Sequence, residues 1–542
     1  MPVISVNLKE LLRLCNSEED ELKDILPGLG VEVDKTGEEE WELEVNPDRC
    51  DLLSVEGIGR AVRGLICKET GLPNYHVEPT DIITNVEMSV QEVRPFVVTA
   101  VIDNIELTEE TLRSLMDVQE KLHLTLGRKR RKIAIGVHDL DMVKPPFTYK
   151  AVKPEKVSFV PLQKTYEMNL KDILEKHEKG KEYAHILEDS THYPLIVDSE
   201  DNVLSFPPII NGVLTQVNTE TKRLFIDMTG TNESSLINAL NILCTMFAER
   251  GGSIKSTVVS YGGREHTYPD LSPGDIILEM EEIKDLLGID IERETIIESL
   301  EKMRYSIESM DPKRIKVKYP AYRHDILHPW DIIEDLAISY GFHNFRGVMP
   351  KHVTFGKGRQ DNDIKNTLAE VMIGMGFKEM MNYPLSSPEK EYDMLCIQRD
   401  DGYATIENPV SEDNTCLRTW IIPSLLYNLH NNRSKPHPHK FFEIGNVVND
   451  LKQKTLMAGT ISHSEAGFTG MKSVIEGISI CLGHNYELKT MNHDSFIEGR
   501  CAAIFKDDFD VGYFGEIHPQ VVTNFDLEYP VIAFEIDIRK LY

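Results

Sequence analysis

Hydrophobic and polar positions follow helical spacing most clearly in residues 319–341. Four apolar residues of this stretch fall on one face of a predicted helix: Ile332, Ile333, Leu336 and Tyr340. Pro329 suits the first turn of such a helix, and Gly341 predicts its end. The pattern therefore predicts a short amphipathic helix that begins near Pro329.

The polar face of this predicted helix is acidic. Asp331, Glu334 and Asp335 are spaced i, i+3 and i+4, and Asp325 lies just upstream in a segment that its prolines favour as extended. Such carboxylates repel one another unless magnesium, or the basic side chains of a partner, lie beside them. Because 89 of the 542 residues are Asp or Glu, a solvated acidic surface is the other interpretation, and spacing alone does not decide.

Changes in the hydrophobic pattern divide the chain into four predicted domains, and the fold class they indicate is α+β and multidomain. Residues 1–84 begin with a strand and a helix capped by Asn7, as in a compact α+β module. Residues 85–266 show the two-residue alternation of strands with helices between them, which predicts a mixed α/β domain.

The second half of the chain predicts two further domains. Within residues 267–346, the pattern from Asp275 onward predicts a helix, a turn at 288–290 and a second helix. A strand and the acidic helix follow. This order predicts a small winged, helix-turn-helix-like module. Residues 347–542 start with an amphipathic helix at 363–375 and continue with strands. That order predicts an antiparallel sheet with flanking helices.

Charge and cysteine content limit the possible functions. The net charge of −30 argues against a surface that binds nucleic acid everywhere, so a polyanion would need a local basic patch or a basic partner. Residues 128–132 are the one dense basic run, and they predict either contact with an RNA backbone or a solvated loop. Eight cysteines without a CxxC pair, and no apolar run of membrane-spanning length, favour a cytoplasmic protein without a zinc site.

Candidate chemistry lies in the second predicted domain. The prolines of VLSFPPIING, residues 203–212, predict a rigid pocket wall, and the glycine turn at 229–231 predicts an anion-accepting nest or a self-capped turn. Asp227 and Thr229 occupy alternate positions of one strand, so they share a face that could order a water molecule or a polar substrate group. Ser205 lacks a GxSxG-type elbow, so water is the expected nucleophile for any hydrolysis.

Six phrases occur here in the order known from one family: NPDRCDLLS, VLSFPPIING, FIDMTGTN, YRHDILHPWDIIEDLAISYG, KFFEIG and YFGEIHP. Together they resemble the β subunit of phenylalanyl-tRNA synthetase of the archaeal or eukaryotic type. The resemblance implies an α2β2 enzyme that joins phenylalanine to tRNA(Phe) with ATP. It also implies catalysis in the α subunit, and in the β subunit hydrolysis of tRNA mischarged with tyrosine.

The resemblance also implies roles for individual residues. The editing pocket would use Ser205, Asp227 and Thr229 for catalysis, with Leu195 and Asn211 as substrate-binding residues. Asp227 and Thr229 would recognise the tyrosine hydroxyl or an ordered water molecule, and Ser205 would shape the ester end of the site.

Two further expectations concern the second half of the chain. Magnesium, shared with the α subunit, would bind the acidic set Asp325, Asp331, Glu334 and Asp335. Residues 347–542 resemble a class II synthetase catalytic domain that has lost its chemistry, because Phe441 stands where an ATP-binding arginine is expected. The magnesium would then serve subunit assembly rather than catalysis.

Two alternatives to a synthetase subunit remain open at the level of sequence. The chain could be a free-standing deacylase of mischarged tRNA, or a non-enzymatic scaffold in which both candidate sites are inert. A free-standing deacylase would need neither the synthetase-like domain nor the acidic helix.

Overall fold

The computed structural model describes residues 2–349, 354–400 and 402–541. The chain folds as two compact units, Met1–Met349 and Pro350–Tyr542. The first unit holds the three amino-terminal predicted domains, and the second holds the predicted synthetase-like domain.

The amino-terminal module is a three-stranded antiparallel sheet with helices packed on it. The strand order is β1-β3-β2. The side chain of Asn7 accepts a hydrogen bond from the backbone of Glu10, which confirms the predicted cap of the first helix. The elements are β1 (Val3–Asn7), α1 (Leu8–Cys15), α2 (Glu19–Ile25), β2 (Val31–Thr36), β3 (Glu40–Val45) and α3 (Val55–Leu65).

The second module is built on a ten-stranded mixed sheet, as the mixed α/β prediction requires. Its order is β12-β11-β10-β7-β4-β14-β5-β13-β6, with β15 paired to β14. The elements are β4 (Val77–Val86), β5 (Phe96–Asp103), α4 (Glu109–Leu124), β6 (Ile133–Asp139), β7 (Phe147–Val152), β8 (Ser158–Phe159), β9 (Met168–Asn169), α5 (Leu170–Lys176), α6 (Glu178–Tyr183), β10 (Tyr193–Val197), β11 (Val203–Phe206), β12 (Ile210–Asn211), β13 (Leu224–Gly230), α7 (Glu233–Ala248), β14 (Ser253–Tyr261) and β15 (Arg264–Tyr268).

The third module packs three helices with a three-stranded antiparallel sheet of order β16-β18-β17. The predicted turn is present, because Gly288 ends the first helix at φ +70°, a conformation that favours glycine. The elements are β16 (Gly274–Glu279), α8 (Met280–Leu287), α9 (Arg293–Lys302), β17 (Ser306–Met310), β18 (Arg314–Tyr319) and α10 (Pro329–Tyr340).

One prediction in this module is wrong at its start. Residues 275–279 were expected to begin a helix, but they form strand β16, which pairs with β18 over its whole length. Apolar runs this short satisfy both helical and extended spacing, and the long-range pairing decides between them. The acidic helix α10 begins at Pro329 and ends before Gly341, as predicted.

The second unit contains a seven-stranded sheet of order β19-β22-β23-β27-β26-β25-β24, antiparallel except for the β19–β22 pair. Helices α11 and α13 contribute to one apolar cluster and α12 to another. The elements are α11 (Gln360–Gly374), β19 (Lys378–Glu379), β20 (Leu385–Ser386), β21 (Cys416–Leu417), α12 (Ile422–Asn431), β22 (His439–Asn449), β23 (Lys452–Ser462), α13 (Phe468–Leu482), β24 (Glu487–Thr490), β25 (Phe496–Lys506), β26 (Phe509–Ile517), α14 (Pro519–Asn524) and β27 (Val531–Asp537). Among the described residues, no helix combines the length and apolar character needed to cross a membrane.

Candidate functional site

A pocket of about 660 Å³ opens in the second module. One wall is the segment from Ser205 to Val217, so the proline-containing stretch forms the predicted pocket wall. Further lining residues come from α4, from the first half of β6 and from Asp227 of β13. Three regions that are distant in sequence thus meet around one cavity.

Three of the five predicted editing residues line this pocket: Ser205, Asn211 and Asp227. Ser205 and Asn211 face each other across the β11–β12 pair. The Ser205 hydroxyl is buried and has no hydrogen-bond partner among the described residues. An unpaired buried hydroxyl is costly, so a bound polar group would stabilise it.

Asp227 is 1% exposed, and its carboxylate is held by a histidine. His138 Nε2 lies 2.6 Å from Asp227 Oδ2. Gly136 lies directly opposite Asp227 in the β6–β13 pair, which places His138 diagonally across from Asp227 on the same face. A Cβ atom at Gly136 would lie 2.3 Å from Asp227 Oδ2, so glycine leaves the space in which the two side chains meet.

The other ring nitrogen of His138 also has a partner in the pocket wall. Nδ1 lies 2.7 Å from Thr215 Oγ1, and Thr215 lines the pocket. His138 is fully buried and does not itself line the cavity. A hydroxyl, an imidazole and a carboxylate therefore form a continuous hydrogen-bonded chain, with both ends at the pocket.

A second polar network holds the two walls together. Arg130 donates to the backbone oxygen of Ile209 at 3.0 Å and to Glu120 at 2.5 Å, which ties the basic run to the proline-containing wall. His123 Nε2 accepts a hydrogen bond from the backbone of Ile135. Burial lowers the pKa of His123 to about 4, so the ring is neutral and can remain an acceptor.

The same hydrogen-bond network changes the pKa of Glu120. Burial by itself would raise the pKa of this carboxyl, but the hydrogen bond with His123 and the charge of Arg130 bring it down to about 2. Arg130 is buried, whereas Arg128, Lys129 and Arg131 beside it are exposed. The basic run is therefore a surface loop with one inward anchor.

Two predicted editing residues lie outside the cavity. Thr229 is fully buried under Arg94, whose Nη2 donates to the Thr229 backbone oxygen at 2.6 Å and whose Nε lies 3.4 Å from its hydroxyl. Leu195 packs in an apolar cluster with Phe206 and Ile209, behind the pocket wall. Neither side chain lines the pocket as described, so any contact of theirs with a ligand would be indirect.

The predicted anion nest at 229–231 is occupied by a backbone carbonyl group of the protein. The backbone nitrogen of Thr231 donates to the carbonyl of Lys132, and a Cβ atom at Gly230 would lie 2.1 Å from that same carbonyl. Asn232 caps helix α7 by accepting from Ser235. The turn is thus self-capped, which was the alternative interpretation.

The four carboxylates near α10 do not converge on one point. Arg323 pairs with two of them: Nη2 lies 2.6 Å from Asp325 and Nη1 lies 2.7 Å from Asp335. The Tyr305 hydroxyl also donates to Asp335. Although burial raises the pKa of Asp325, the charge and hydrogen bonds of Arg323 lower it overall. The positive charge that the cluster requires is therefore supplied, in this arrangement, by the chain itself.

The other two carboxylates differ from each other. Asp331 Oδ2 accepts from the backbone nitrogens of Leu327 and His328 at 2.7 Å, so it caps the helix. Glu334 has no ion pair among the described residues, and burial together with the nearby Asp335 raises its pKa. In the described ranges, no group of three or more acidic, histidine or cysteine side chains is placed to hold a metal ion. The set as arranged does not fit a four-carboxylate magnesium site.

Two Arg-x-Asp segments of the sequence both contribute to this cluster of buried charges. Arg49 and Asp51 form a buried ion pair at 2.8 Å with the same two-residue spacing as Arg323 and Asp325. Arg49 also lies 4.0 Å from Asp335. The two Arg-x-Asp segments therefore meet in space, where they join the amino-terminal module to the third module.

Comparison with known proteins identifies the family. The family described as "B3/4 domain" matches residues 97–250, "tRNA synthetase B5 domain" matches 276–342, and "Phenylalanyl tRNA synthetase beta chain CLM domain" matches 347–538. Over 542 aligned residues, the chain is 41% identical to the phenylalanine–tRNA ligase beta subunit of Methanosarcina acetivorans, covering all of this chain and 99% of the relative. The chain belongs to the phenylalanine–tRNA ligase beta-subunit family.

Two further similarities support the family assignment. The beta subunit of Archaeoglobus fulgidus is 42% identical over 544 aligned residues, covering 100% of this chain and 99% of the relative. An amino-terminal fragment of the phenylalanyl-tRNA synthetase beta subunit from Pyrococcus horikoshii is similar in structure, with a TM-score of 0.61 and 40% identity. That similarity covers 63% of this chain and all of the fragment.

The synthetase-like unit of this chain places an apolar residue at the expected arginine position. Phe441 on β22 is buried in an apolar cluster with Ile421 and Leu425. Two residues on, Glu443 pairs with Arg418 at 2.7 Å and accepts from Asn382. The motif glutamate is thus satisfied by protein groups, and Phe441 offers no charge to a phosphate.

Sequence patterns missed four residues that line the pocket, Glu120, His123, Gly136 and Thr215, and they missed His138, which lies behind its wall. His138 stands in the predicted strand two positions after Gly136, and that spacing was the available signal. Its meaning depends on the pairing of β6 with β13, which no local pattern reveals.

Proposed function

We propose that this chain assembles with an alpha subunit of phenylalanine–tRNA ligase as an α2β2 enzyme in the cytoplasm. The alpha subunit uses ATP to join phenylalanine to tRNA(Phe). This chain hydrolyses the ester bond of tRNA that carries tyrosine. The full-length similarity to proteins named phenylalanine–tRNA ligase beta subunit supports the assembly. The pocket of the second module supports the hydrolysis.

The buried carboxylate of Asp227 at the pocket wall is the feature that favours tyrosine. His138 occupies Oδ2, and no described residue donates to Oδ1. A tyrosine side chain would bring a phenol hydroxyl that can donate to this carboxylate, whereas phenylalanine would leave it unpaired. A site built to bind a hydroxyl group rejects the analogue without it by up to about 10⁴- to 10⁵-fold, because a buried polar group loses its partner.

The pocket also suits the rest of an aminoacyl ester. Phe206, Pro208 and Ile209 supply apolar surface for an aromatic ring. The Ser205 hydroxyl and the Asn211 side chain lie at the same wall and can orient the ester end or a water molecule. Water is the proposed nucleophile, in keeping with a site in which Ser205 has no histidine partner among the described residues.

Several basic residues lie at this pocket or on the loop that contributes Arg130 to it. Lys164 and Lys179 line the cavity, and the loop that holds Arg130 exposes Arg128, Lys129 and Arg131. These three loop residues form no ion pair with any described residue, so their charges are free for a ligand. A local patch of this kind is what a net charge of −30 requires for a tRNA end to approach.

The test is a pair of assays on the chain co-expressed with a candidate alpha subunit. Asp227→Asn should leave phenylalanine charging unchanged while tRNA(Phe) carrying tyrosine accumulates. Asp139→Asn is a matched control, because Asp139 is a buried carboxylate at the end of β6 that accepts from Thr221 rather than facing the pocket. Equal clearance of tyrosyl-tRNA by Asp227→Asn and by the unaltered enzyme would reject the role of Asp227 in tyrosine selection. No clearance by the unaltered enzyme would reject the editing function itself.

The same experiment separates the two alternative functions. A free-standing deacylase would clear tyrosyl-tRNA without the alpha subunit and would not form a stable complex with it. A scaffold would bind the alpha subunit, yet no variant of the pocket would change clearance.

A further inference from the structure

We infer that His138 is a positioning residue of the pocket, which holds the carboxylate of Asp227 and the hydroxyl of Thr215 in their productive orientations. This inference rests on the proposed editing of tyrosyl-tRNA. It gives a role in that editing to a residue that lies behind the cavity wall. His138 does not touch the pocket, so it would act only through its two neighbours.

The strand geometry gives His138 this position. β6 and β13 pair in register, with Gly136 opposite Asp227 and His138 opposite Phe225. Because side chains two residues apart in a strand share a face, the imidazole reaches diagonally past the empty side-chain position of Gly136 to Asp227. A side chain at Gly136 would occupy this path, since its Cβ atom would lie 2.7 Å from His138 Nε2.

The hydrogen bonds give the ring a defined tautomer. A carboxylate only accepts, so the proton of His138 is on Nε2, 2.6 Å from Asp227 Oδ2. Nδ1 lies 2.7 Å from Thr215 Oγ1, and the hydroxyl can donate a hydrogen bond to it. The two hydrogen bonds together hold the imidazole between Thr215 and Asp227.

The consequence for the pocket concerns Oδ1 of Asp227. With Oδ2 held by His138, rotation of the carboxylate is restricted and Oδ1 stays available to a phenol hydroxyl. Without His138 the carboxylate is buried and unpaired, and it can rotate or take another partner. The loss should therefore fall on tyrosine selection, which Asp227 performs, rather than on phenylalanine charging.

The experiment compares His138→Leu, His138→Gln and Thr215→Val in the full chain complexed with the alpha subunit. Leucine removes both hydrogen bonds, whereas the amide nitrogen of glutamine can still donate to Asp227. The substrates are tRNA(Phe) carrying tyrosine and tRNA(Phe) carrying phenylalanine, and the readout is the ratio of their deacylation kcat/KM values. Circular dichroism and melting temperature verify that each variant is folded.

We expect His138→Leu to lower this ratio by roughly ten- to hundredfold, the equivalent of one hydrogen bond to a charged group. His138→Gln should recover most of the ratio, and Thr215→Val should lie between them. Because the effect passes through Asp227, combining His138→Leu with Asp227→Asn should add little to Asp227→Asn alone.

Three results would overturn the inference. The ratio in folded His138→Leu could equal that of the unaltered enzyme, or His138→Gln could be as impaired as His138→Leu. Alternatively, Thr215→Val could abolish hydrolysis while mass spectrometry detects a tyrosyl ester on Thr215 of the unaltered chain, which would make the chain of groups a nucleophilic triad. If the unaltered enzyme does not deacylate tyrosyl-tRNA at all, the proposed function itself has failed, and that result is distinct from the other three.

Discussion

Arg323 Nη1 and Asp335 Oδ2 lie 2.7 Å apart in a buried ion pair at the middle of the acidic helix. Both side chains are almost fully shielded from water, and the same guanidinium also pairs with Asp325. The carboxylates that sequence spacing marked as a magnesium site thus already have a cation of their own. This pair connects the helix to the strand-end segment that precedes it.

Replacing Arg323 by methionine should destabilise the first unit by about 3–5 kcal/mol, because two buried carboxylates lose their counter-charge. Chemical denaturation of the full chain measures the change. Arg314→Met is the control, since Arg314 pairs with Glu279 at the surface and its loss should cost less than about 1 kcal/mol. Equal midpoints for the two variants would contradict the stabilising role of the buried pair.

Magnesium binding near α10 is a separate prediction, which concerns Glu334. Because Arg323 already pairs with Asp325 and Asp335, the chain alone should bind magnesium at Glu334 weakly at most, and Glu334→Gln should reduce any such binding. Isothermal titration with magnesium, with and without the alpha subunit, measures it. If heat of magnesium binding is measured only in the complex, the carboxylates must rearrange on assembly. If Glu334→Gln changes neither magnesium binding nor assembly, the helix face is an ordinary acidic surface.

Gly136→Ala should impair the pocket more than a single methyl group normally would. The new Cβ atom would lie 2.3 Å from Asp227 Oδ2, so the carboxylate must shift away from His138. We expect a destabilisation of about 1–3 kcal/mol and a loss of tyrosyl-tRNA clearance of at least about tenfold. Gly28→Ala provides the comparison, because no heavy atom lies within 4 Å of a Cβ placed there.

The pocket wall should weaken in mild acid because of His123. The folded protein lowers the pKa of His123 from 6.5 to about 4, so the unfolded chain takes up the proton first as pH falls. The free energy of unfolding should therefore be unaffected by this group above pH 6.5 and should decrease as pH falls toward 4, by up to about 3 kcal/mol. In His123→Gln the slope of stability against pH over this window should become shallower; an unchanged slope would assign the acid sensitivity to other groups.

The exposed basic loop should contribute to tRNA binding through charge. Changing Arg128, Lys129 and Arg131 together to glutamine should raise KM for deacylation with little change in kcat. The slope of log affinity against log salt should become less steep by up to about 2, since each phosphate contact in a single strand contributes about 0.7.

Lys9 and Lys68 provide a matched control for the loop variant. Both are exposed lysines of the amino-terminal module, and neither forms an ion pair with a described residue. Changing both to glutamine should leave the salt dependence as it is. If the loop variant behaves in the same way, the basic run is a solvated loop.

Local chemistry predicted the helix ends well. Asn7 caps the helix that its position indicated, and Gly288 and Gly341 end the helices before them. These signals act between residues a few positions apart, so they can be read directly from the sequence.

The candidate site was predicted less completely because it depends on long-range pairing. Alternation correctly put Asp227 and Thr229 on one strand, but Arg94 covers Thr229 and only Asp227 reaches the cavity. His138 is 89 positions from Asp227, and only the β6–β13 pairing brings them together. The spacing of the acidic residues gave no sign that Arg323 would neutralise two of them.

The glycine opposite Asp227 limits how this pocket can change in evolution. At most positions that line a cavity, a substitution can either enlarge or reduce the available space. Position 136 already has the smallest residue, so every possible mutation adds atoms beside the carboxylate. Substitution at position 136 can therefore only reduce the space beside Asp227, and room for a larger ligand would have to come from other residues of the pocket.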